Sequence, residues 1–159
     1  MMAQFTHLNK NAQPVMVDVG EKEITHRTAT AQCVVTMPEE VIVHLQQDNF
    51  TTKKGSIFQT AMLAGIMASK KTGDLIPLCH PLGLENCEVT IELNEQQEVI
   101  IRCTASITAK TGVEMEALTG ASVAALTIYD MCKALSHDII IKELKLMEKT
   151  GGRHDFKRE

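Results

Sequence analysis

The residue pattern of this 159-residue chain predicts a single-domain α+β protein, its helices packed on a mainly antiparallel sheet. The expectation rests on three features. A central stretch alternates apolar and polar residues, pauses at a polar turn and resumes the same period of two. Segments of helical character stand on both sides of it. The length, with 44% hydrophobic and 23% charged residues, suffices for one packed core and is short for two.

The first strand is read from Ala29, Ala31, Cys33, Val35 and Met37, alternating with Thr28, Thr30, Gln32 and Thr36. Pro38-Glu39-Glu40 then starts a helix to about Asp48, with proline in the first turn and acids complementing the dipole. Ser56 caps a second helix reaching about Ser69. Its stretch Ala61 to Ala68 is apolar almost all round, which predicts burial on most sides, partly against something outside a small monomer. Next comes the hairpin: Cys87, Val89, Ile91 and Leu93 on one face, the turn Asn94 to Gln97, then Val99, Ile101, Cys103, Ala105 and Ile107. Glu88 and Glu92 fall on its other face and read as solvated. A third helix spans about Glu116 to Leu135, and Ile139-Ile140-Ile141 begins a last strand. One domain covers 1–159, with about 1–15 and 153–159 expected to be flexible.

Composition excludes several functions. Four Phe, one Tyr and no Trp disfavour base stacking on aromatic rings, and a net charge of −4 disfavours coating of polyanions, so no nucleic-acid partner is expected. No apolar run approaches the ~20 residues of a membrane span. Met1 to Lys10 lacks a charged-then-apolar signal pattern, and the five cysteines (Cys33, Cys79, Cys87, Cys103, Cys132) form no CxxC pair. Both predict a soluble protein of the reducing cytoplasm, with buried free thiols and no protein-bound metal site.

Three segments can carry chemistry. Thr51-Thr52-Lys53-Lys54-Gly55-Ser56 leads cations and a flexible glycine into a helix start, a physically good phosphate site, although a solvated lysine pair explains the segment equally well. In Asp74 to Leu82, Pro77 and Pro81 hold Leu78, Cys79 and His80 in an extended turn. His80 could donate there to a phosphate or a carbonyl, and a satisfied structural histidine is the plainer reading. The third segment is the long helix and its approach. Asp130 and Lys133 are three apart on one helix face, among apolar residues that predict a partly buried acid beside an amine. Glu116 and Asp130 fall about 40° apart around the helix but ~21 Å apart along it. One small substrate cannot touch both in one subunit. A two-fold-related copy packing on the small residues Gly120, Ala121, Ser122, Ala124 and Ala125 would bring one chain's Glu116 beside the other's Asp130.

Together these segments resemble a known family. Met16-Val17-Asp18-Val19, the run DLIPLCHPL from Asp74, KTGVEMEALT from Lys110, ASVAALTIYDMCKA from Ala121, and Gly151-Gly152 before Asp155-Phe156-Lys157 closely resemble the MoaC family, the cyclic pyranopterin monophosphate synthase accessory proteins of molybdenum cofactor biosynthesis. The resemblance implies a ferredoxin-like α+β fold and a homohexamer, a trimer of dimers with sites shared at the dimer interface. It implies a lyase that converts 3′,8-cyclo-7,8-dihydro-GTP to cyclic pyranopterin monophosphate with release of pyrophosphate, functionally linked to a radical SAM GTP cyclase of the MoaA type. By matching motifs it gives substrate-binding roles to Lys54, Leu78, Cys79, His80, Glu114, Met115 and Glu116, and catalytic roles to Asp130 and Lys133. After Lys54-Gly55 the family commonly carries an acid, whereas this chain has Ser56. No cofactor is demanded by the residues, though Mg²⁺ can accompany a triphosphate. The competing classes are a non-catalytic nucleotide-binding protein of the same fold and a phosphatase or GTP cyclohydrolase.

Overall fold

Ala29, Ala31, Cys33 and Val35 are all buried on one face of the first strand, β1 (Thr25–Thr36), as their alternation requires. The structure is a computed structural model describing residues 6–159. After β1 come α1 (Glu39–Gln47), a two-stranded hairpin of β2 (Thr51–Thr52) and β3 (Gly55–Ser56), α2 (Ile57–Ser69) and the single turn α3 (Thr72–Leu75). The chain continues through β4 (Asn86–Leu93), β5 (Val99–Ala109), α4 (Glu114–Cys132), β6 (Ile140–Thr150) and the short β7 (Phe156–Lys157).

The main sheet has the order β4-β5-β1-β6-β7 with every neighbour antiparallel. Because β5 lies between β4 and β1, and β1 between β5 and β6, each long helix crosses over one strand, the split arrangement of a ferredoxin-like fold. Both helices cover the inner face. Ile57 and Ala61 of α2, with Ala117, Ala121, Ala124, Ala125 and Ile128 of α4, close the core over Val89, Ile101 and Cys103. On the outer face Glu88 and Glu92 are exposed, as expected, and Arg102 bridges to Glu92 at 2.7 Å, while the paired Val34 and Ile100 are buried there.

α2 and α4 run antiparallel with their backbones in contact. The Ser69 hydroxyl, at the end of α2, donates to the Glu116 carbonyl near the start of α4 at 2.9 Å. A Cβ added at Gly65 would sit 2.9 Å from the Gly120 carbonyl oxygen, and one added at Gly120 would collide with Ser69 Oγ and Cys103 Sγ. This corrects one expectation. Gly120, Ala121, Ala124 and Ala125 do not wait for a second copy; all are buried inside the chain, where only small side chains let α4 approach α2 and the sheet. The outward side of α2 instead leaves Leu63 and Met67 exposed.

The turn before α2 is more structured than the sequence suggests. Asn49 and Phe50 both have positive φ, Phe50 stacks on Phe58 with ring centroids 4.5 Å apart, and the chain reverses through Lys53-Lys54. Gly55 has φ +108°, a conformation open mainly to glycine. At the ends, residues 1–5 of the segment expected to be flexible lie outside the described residues. Leu8 bridges to Pro14, and β7 pairs with Glu148 and Lys149 of β6. Among the described residues no helix is long and apolar enough to cross a membrane.

Candidate functional site

Six of the nine expected site residues line one cavity of about 250 Å³: Leu78, Cys79, His80, Glu114, Met115 and Glu116. Proline at 77 and 81 keeps the first three out of helix, and the Cys79 N–H closes a turn onto the Ile76 carbonyl at 3.1 Å. His80 Nε2 donates to the Val17 carbonyl at 2.9 Å, which ties the Val17–Val19 segment across the cavity mouth. The carbonyl foreseen as its partner is thus one of the chain's own, and Nδ1 is the nitrogen left for a ligand. Glu114 and Glu116 occupy the first turn of α4, where the helix dipole favours carboxylates.

Burial dominates the electrostatics here. Glu116 is 4% exposed, and desolvation lifts its carboxyl above the ordinary value, against a hydrogen bond from its own backbone N–H and with help from the Glu114 charge. The Cys79 thiol is likewise raised, first by burial and then by Glu116. Glu114 is paired with Lys149 at 3.1 Å.

That ion pair leads into a second cavity, of about 760 Å³, which shares Lys22, Thr111, Gly112 and Glu114 with the first and adds Arg27, Lys149 and Arg153. Sequence reasoning missed these four cations. Lys22 precedes the sheet, Arg27 is on β1, Lys149 on β6 and Arg153 beyond it; only the pairing of Ala29 with Lys149 and of Thr28 with Thr150 gathers them. The one local signal was Gly151-Gly152. Gly151 has φ +80°, and a Cβ there would strike the His26 carbonyl, so this turn closes directly on β1.

Lys54, Asp130 and Lys133 form a separate cluster. Lys133 Nζ is 2.6 Å from Asp130 Oδ1, and Lys54 is near enough to act on the Asp130 carboxyl. Lys133 holds Asp130 below the usual carboxylate range, while Asp130 raises the Lys133 ammonium. The expected partial burial of Asp130 is not found: its side chain is 69% exposed and that of Lys133 55%. Glu116, about 40° away around α4, is buried, so Asp130 owes its exposure to its place near the C-terminal end of the helix and not to its face. Two of the backbone N–H groups at the start of α2 are taken, Ile57 by the Phe50 carbonyl at 2.9 Å and Gln59 by Ser56 Oγ at 3.3 Å. The Lys53-Lys54 turn offers a phosphate its exposed ammonium groups. Lys70 and Lys71 do not join them, since they follow the far end of α2.

The two clusters thus stand at opposite ends of the antiparallel helix pair, fourteen residues and ~21 Å apart along α4. One end offers a pocket with buried acid beside a cationic cavity; the other an exposed acid with two amines.

The family model described as MoaC family matches residues 16–152. The cyclic pyranopterin monophosphate synthase of Xanthomonas axonopodis pv. citri is 51% identical over 154 residues, covering 97% of this chain and 93% of the relative. The molybdenum cofactor biosynthesis bifunctional protein of Synechocystis is 51% identical over 155 residues, of whose length this chain spans only 45%. Molybdenum cofactor biosynthesis protein 1 of Dictyostelium discoideum is 45% identical over 167 residues, and the match covers 26% of it.

Proposed function

The chain belongs to the MoaC family, and from that premise we propose that it acts as a cyclic pyranopterin monophosphate synthase. It converts 3′,8-cyclo-7,8-dihydro-GTP to cyclic pyranopterin monophosphate and pyrophosphate, as a lyase in the cytoplasm. The substrate comes from a radical SAM GTP cyclase of the MoaA type. The observation that carries the reading, beside the family, is the division of the expected residues between the two ends of α4.

A complete site needs both ends, so it forms between two chains, within a homohexamer built as a trimer of dimers. The pocket of Leu78, Cys79, His80, Glu114, Met115 and Glu116 in one chain grips the base-derived ring through polar groups, few aromatic side chains being present to stack it. The adjoining cavity, with Lys22, Arg27, Lys149 and Arg153, suits the triphosphate as a set of fixed cations. The other chain supplies Lys54, Asp130 and Lys133. Expelling pyrophosphate while a cyclic phosphate closes demands neutralisation of charge on the leaving oxygens, which Lys54 and Lys133 provide. Ring opening and reclosure demand proton transfers. Asp130 and Lys133 in solvent hold each other charged, so covering them with the partner's pocket is what brings their proton affinities close enough for exchange. Mg²⁺ enters, where it is present, with the triphosphate.

Incubation of the purified protein with the cyclised GTP intermediate, with pyrophosphate as readout, tests the activity; binding without release would leave a nucleotide-binding protein instead. Mixing inactive Asp130→Ala and Glu116→Ala proteins tests the shared site. Activity should reappear on subunit exchange, and none despite confirmed exchange would refute it.

A further inference from the structure

Four hydrogen bonds in series join the two walls of the smaller cavity. The Ser69 hydroxyl, at the end of α2, donates to the Glu116 carbonyl at 2.9 Å. The Thr72 hydroxyl donates in turn to the Ser69 carbonyl at 2.9 Å. The Ile76 N–H donates to the Thr72 carbonyl at 2.9 Å, and the Cys79 N–H to the Ile76 carbonyl at 3.1 Å. One wall, the first turn of α4, is thus tied through α3 to the other, Leu78 to His80. Gly73 adds a contact: a Cβ there would lie 3.0 Å from Pro81 Cα and 3.3 Å from the His80 carbonyl oxygen.

We propose that Thr72 is a positioning residue, a role that rests on the activity proposed above. Its hydroxyl sets the Leu78–His80 wall at a fixed distance from Glu116 and so aligns the ring system held between them. Thr72 does not itself line the cavity; it acts through Ser69 on one side and the turn to Cys79 on the other.

The composition of α3 singles Thr72 out. This helix is one turn long, and Thr72, 1% exposed, is its one buried residue; Asp74 and Leu75 are exposed. A buried hydroxyl costs free energy unless it is hydrogen-bonded, and valine would fill the same space without that demand. What threonine adds is direction. Its hydroxyl reaches a carbonyl in the last turn of α2, where carbonyls lack helical partners, and so fixes the start of α3 against α2. Loss of the Ser69 hydroxyl would be cushioned, because α2 and α4 also meet at Gly65 and Gly120. Arg27 and Lys149 of the adjoining cavity stand on β1 and β6, so a shift of α3 leaves them in place. Removing the Thr72 hydroxyl therefore costs alignment more than affinity.

The experiment compares full-length Thr72→Val, which keeps the shape and loses the donor, with Thr72→Ser, which keeps the donor and loses a buried methyl. Both should melt below the parent by circular dichroism. With the cyclised GTP intermediate, Thr72→Val should lower kcat about tenfold or more, since a misplacement of about 1 Å can cost about 10²-fold. Its KM should stay within about threefold of the parent, and the kcat of Thr72→Ser within about twofold. Hydrogen exchange of the substrate-free proteins needs no activity: the Cys79 N–H should exchange several-fold faster in Thr72→Val and at the parent rate in Thr72→Ser. If the valine variant does not fold, Thr72→Ala against Thr72→Ser makes the same comparison. Parent kcat without the hydroxyl, whatever the Tm, overturns the proposal, as does a serine variant as slow as the valine one or parent exchange at Cys79 in Thr72→Val. A parent protein that releases no pyrophosphate refutes the activity instead. The exchange rates alone then decide the coupling: faster in Thr72→Val only upholds it, and unchanged overturns it.

Discussion

Gly120→Ala puts the contact between α2 and α4 to a direct test. Helix propensity alone favours the change, since alanine in a helix interior is better than glycine by about 1 kcal/mol. Packing opposes it. The new methyl would collide with Ser69 Oγ and Cys103 Sγ and sit 3.2 Å from the Gly65 carbonyl oxygen. The side chains can rotate only by giving up the Ser69–Glu116 hydrogen bond, and the carbonyl belongs to a buried helix and cannot yield. Overpacking of this kind costs about 1–3 kcal/mol, and loss of a buried hydrogen bond about 1 kcal/mol more. Taking about 3 kcal/mol against the 1 kcal/mol gain leaves a net loss of about 2 kcal/mol. For a chain of this length that lowers Tm by roughly 4–8 °C. The assay is thermal unfolding by circular dichroism at fixed protein concentration. Ser69→Ala removes the nearest obstacle, so the double variant should lose less than the sum of the single changes. A Gly120→Ala protein as stable as the parent, or strict additivity with Ser69→Ala, would refute the reasoning.

Further outcomes can be stated. Glu116→Gln imitates the neutral acid that burial favours. A raised carboxyl contributes stability that is present at low pH and lost as pH rises through its folded value. The variant should therefore out-melt the parent at pH 7–8 and match it below about pH 4, the ordinary glutamate range; a constant difference would contradict the cause given. Glu98 shows the opposite sign. Lys142, at 2.7 Å, and Asn94 hold its carboxyl low, so its contribution should fade on acidification, and Lys142→Met should flatten that part of the acid-unfolding profile. Asp130→Asn should abolish turnover and leave substrate affinity within about tenfold, since no buried contact is lost; calorimetric titration showing no binding by a folded variant would move Asp130 to the binding role. Gly151→Ala should cost several kcal/mol, about 2–4, from its positive φ and the His26 carbonyl together, and should release Lys149 and Arg153 from their cavity.

Much of the fold was legible because its signals are local. The alternation from Cys87 to Ile107 marks β4 and β5 within a residue or two of their ends, and Ser56 was readable as a cap because one hydroxyl three residues before Gln59 suffices. What escaped depends on partners distant in sequence. The β2–β3 hairpin is held by Phe50 on Phe58 and by two residues of positive φ, neither visible in a run of Thr and Lys. The small residues of α4 did announce a close approach, but whether to α2 or to another chain is a tertiary matter. Asp130 looked half-buried because its neighbours are apolar, but Leu126 among them is exposed as well, and Asp130 lies near the C-terminal end of α4 while Glu116, on nearly the same face, is buried at the other end. The cavity cations were hidden because they come from separate parts of the chain, and Lys149 also because β6 carries two register irregularities against β1 and Glu143 has φ +54°.

The sheet's borders have a bearing on solubility. Strand β4 forms one edge along eight residues, and unpaired edges of that length invite a neighbouring chain to add a strand. Here Glu88 and Glu92 stand on its exposed face, so two such edges meeting side by side would bring like charges together. On the opposite side the two-residue β7 pairs only with Glu148 and Lys149 of β6, so residues 140–145 of β6 remain an edge of their own, carrying Lys142 and Lys145. The acidic β4 edge repels a copy of itself. Side-by-side pairing of two β4 edges is thereby discouraged by residues that lie outside the candidate site.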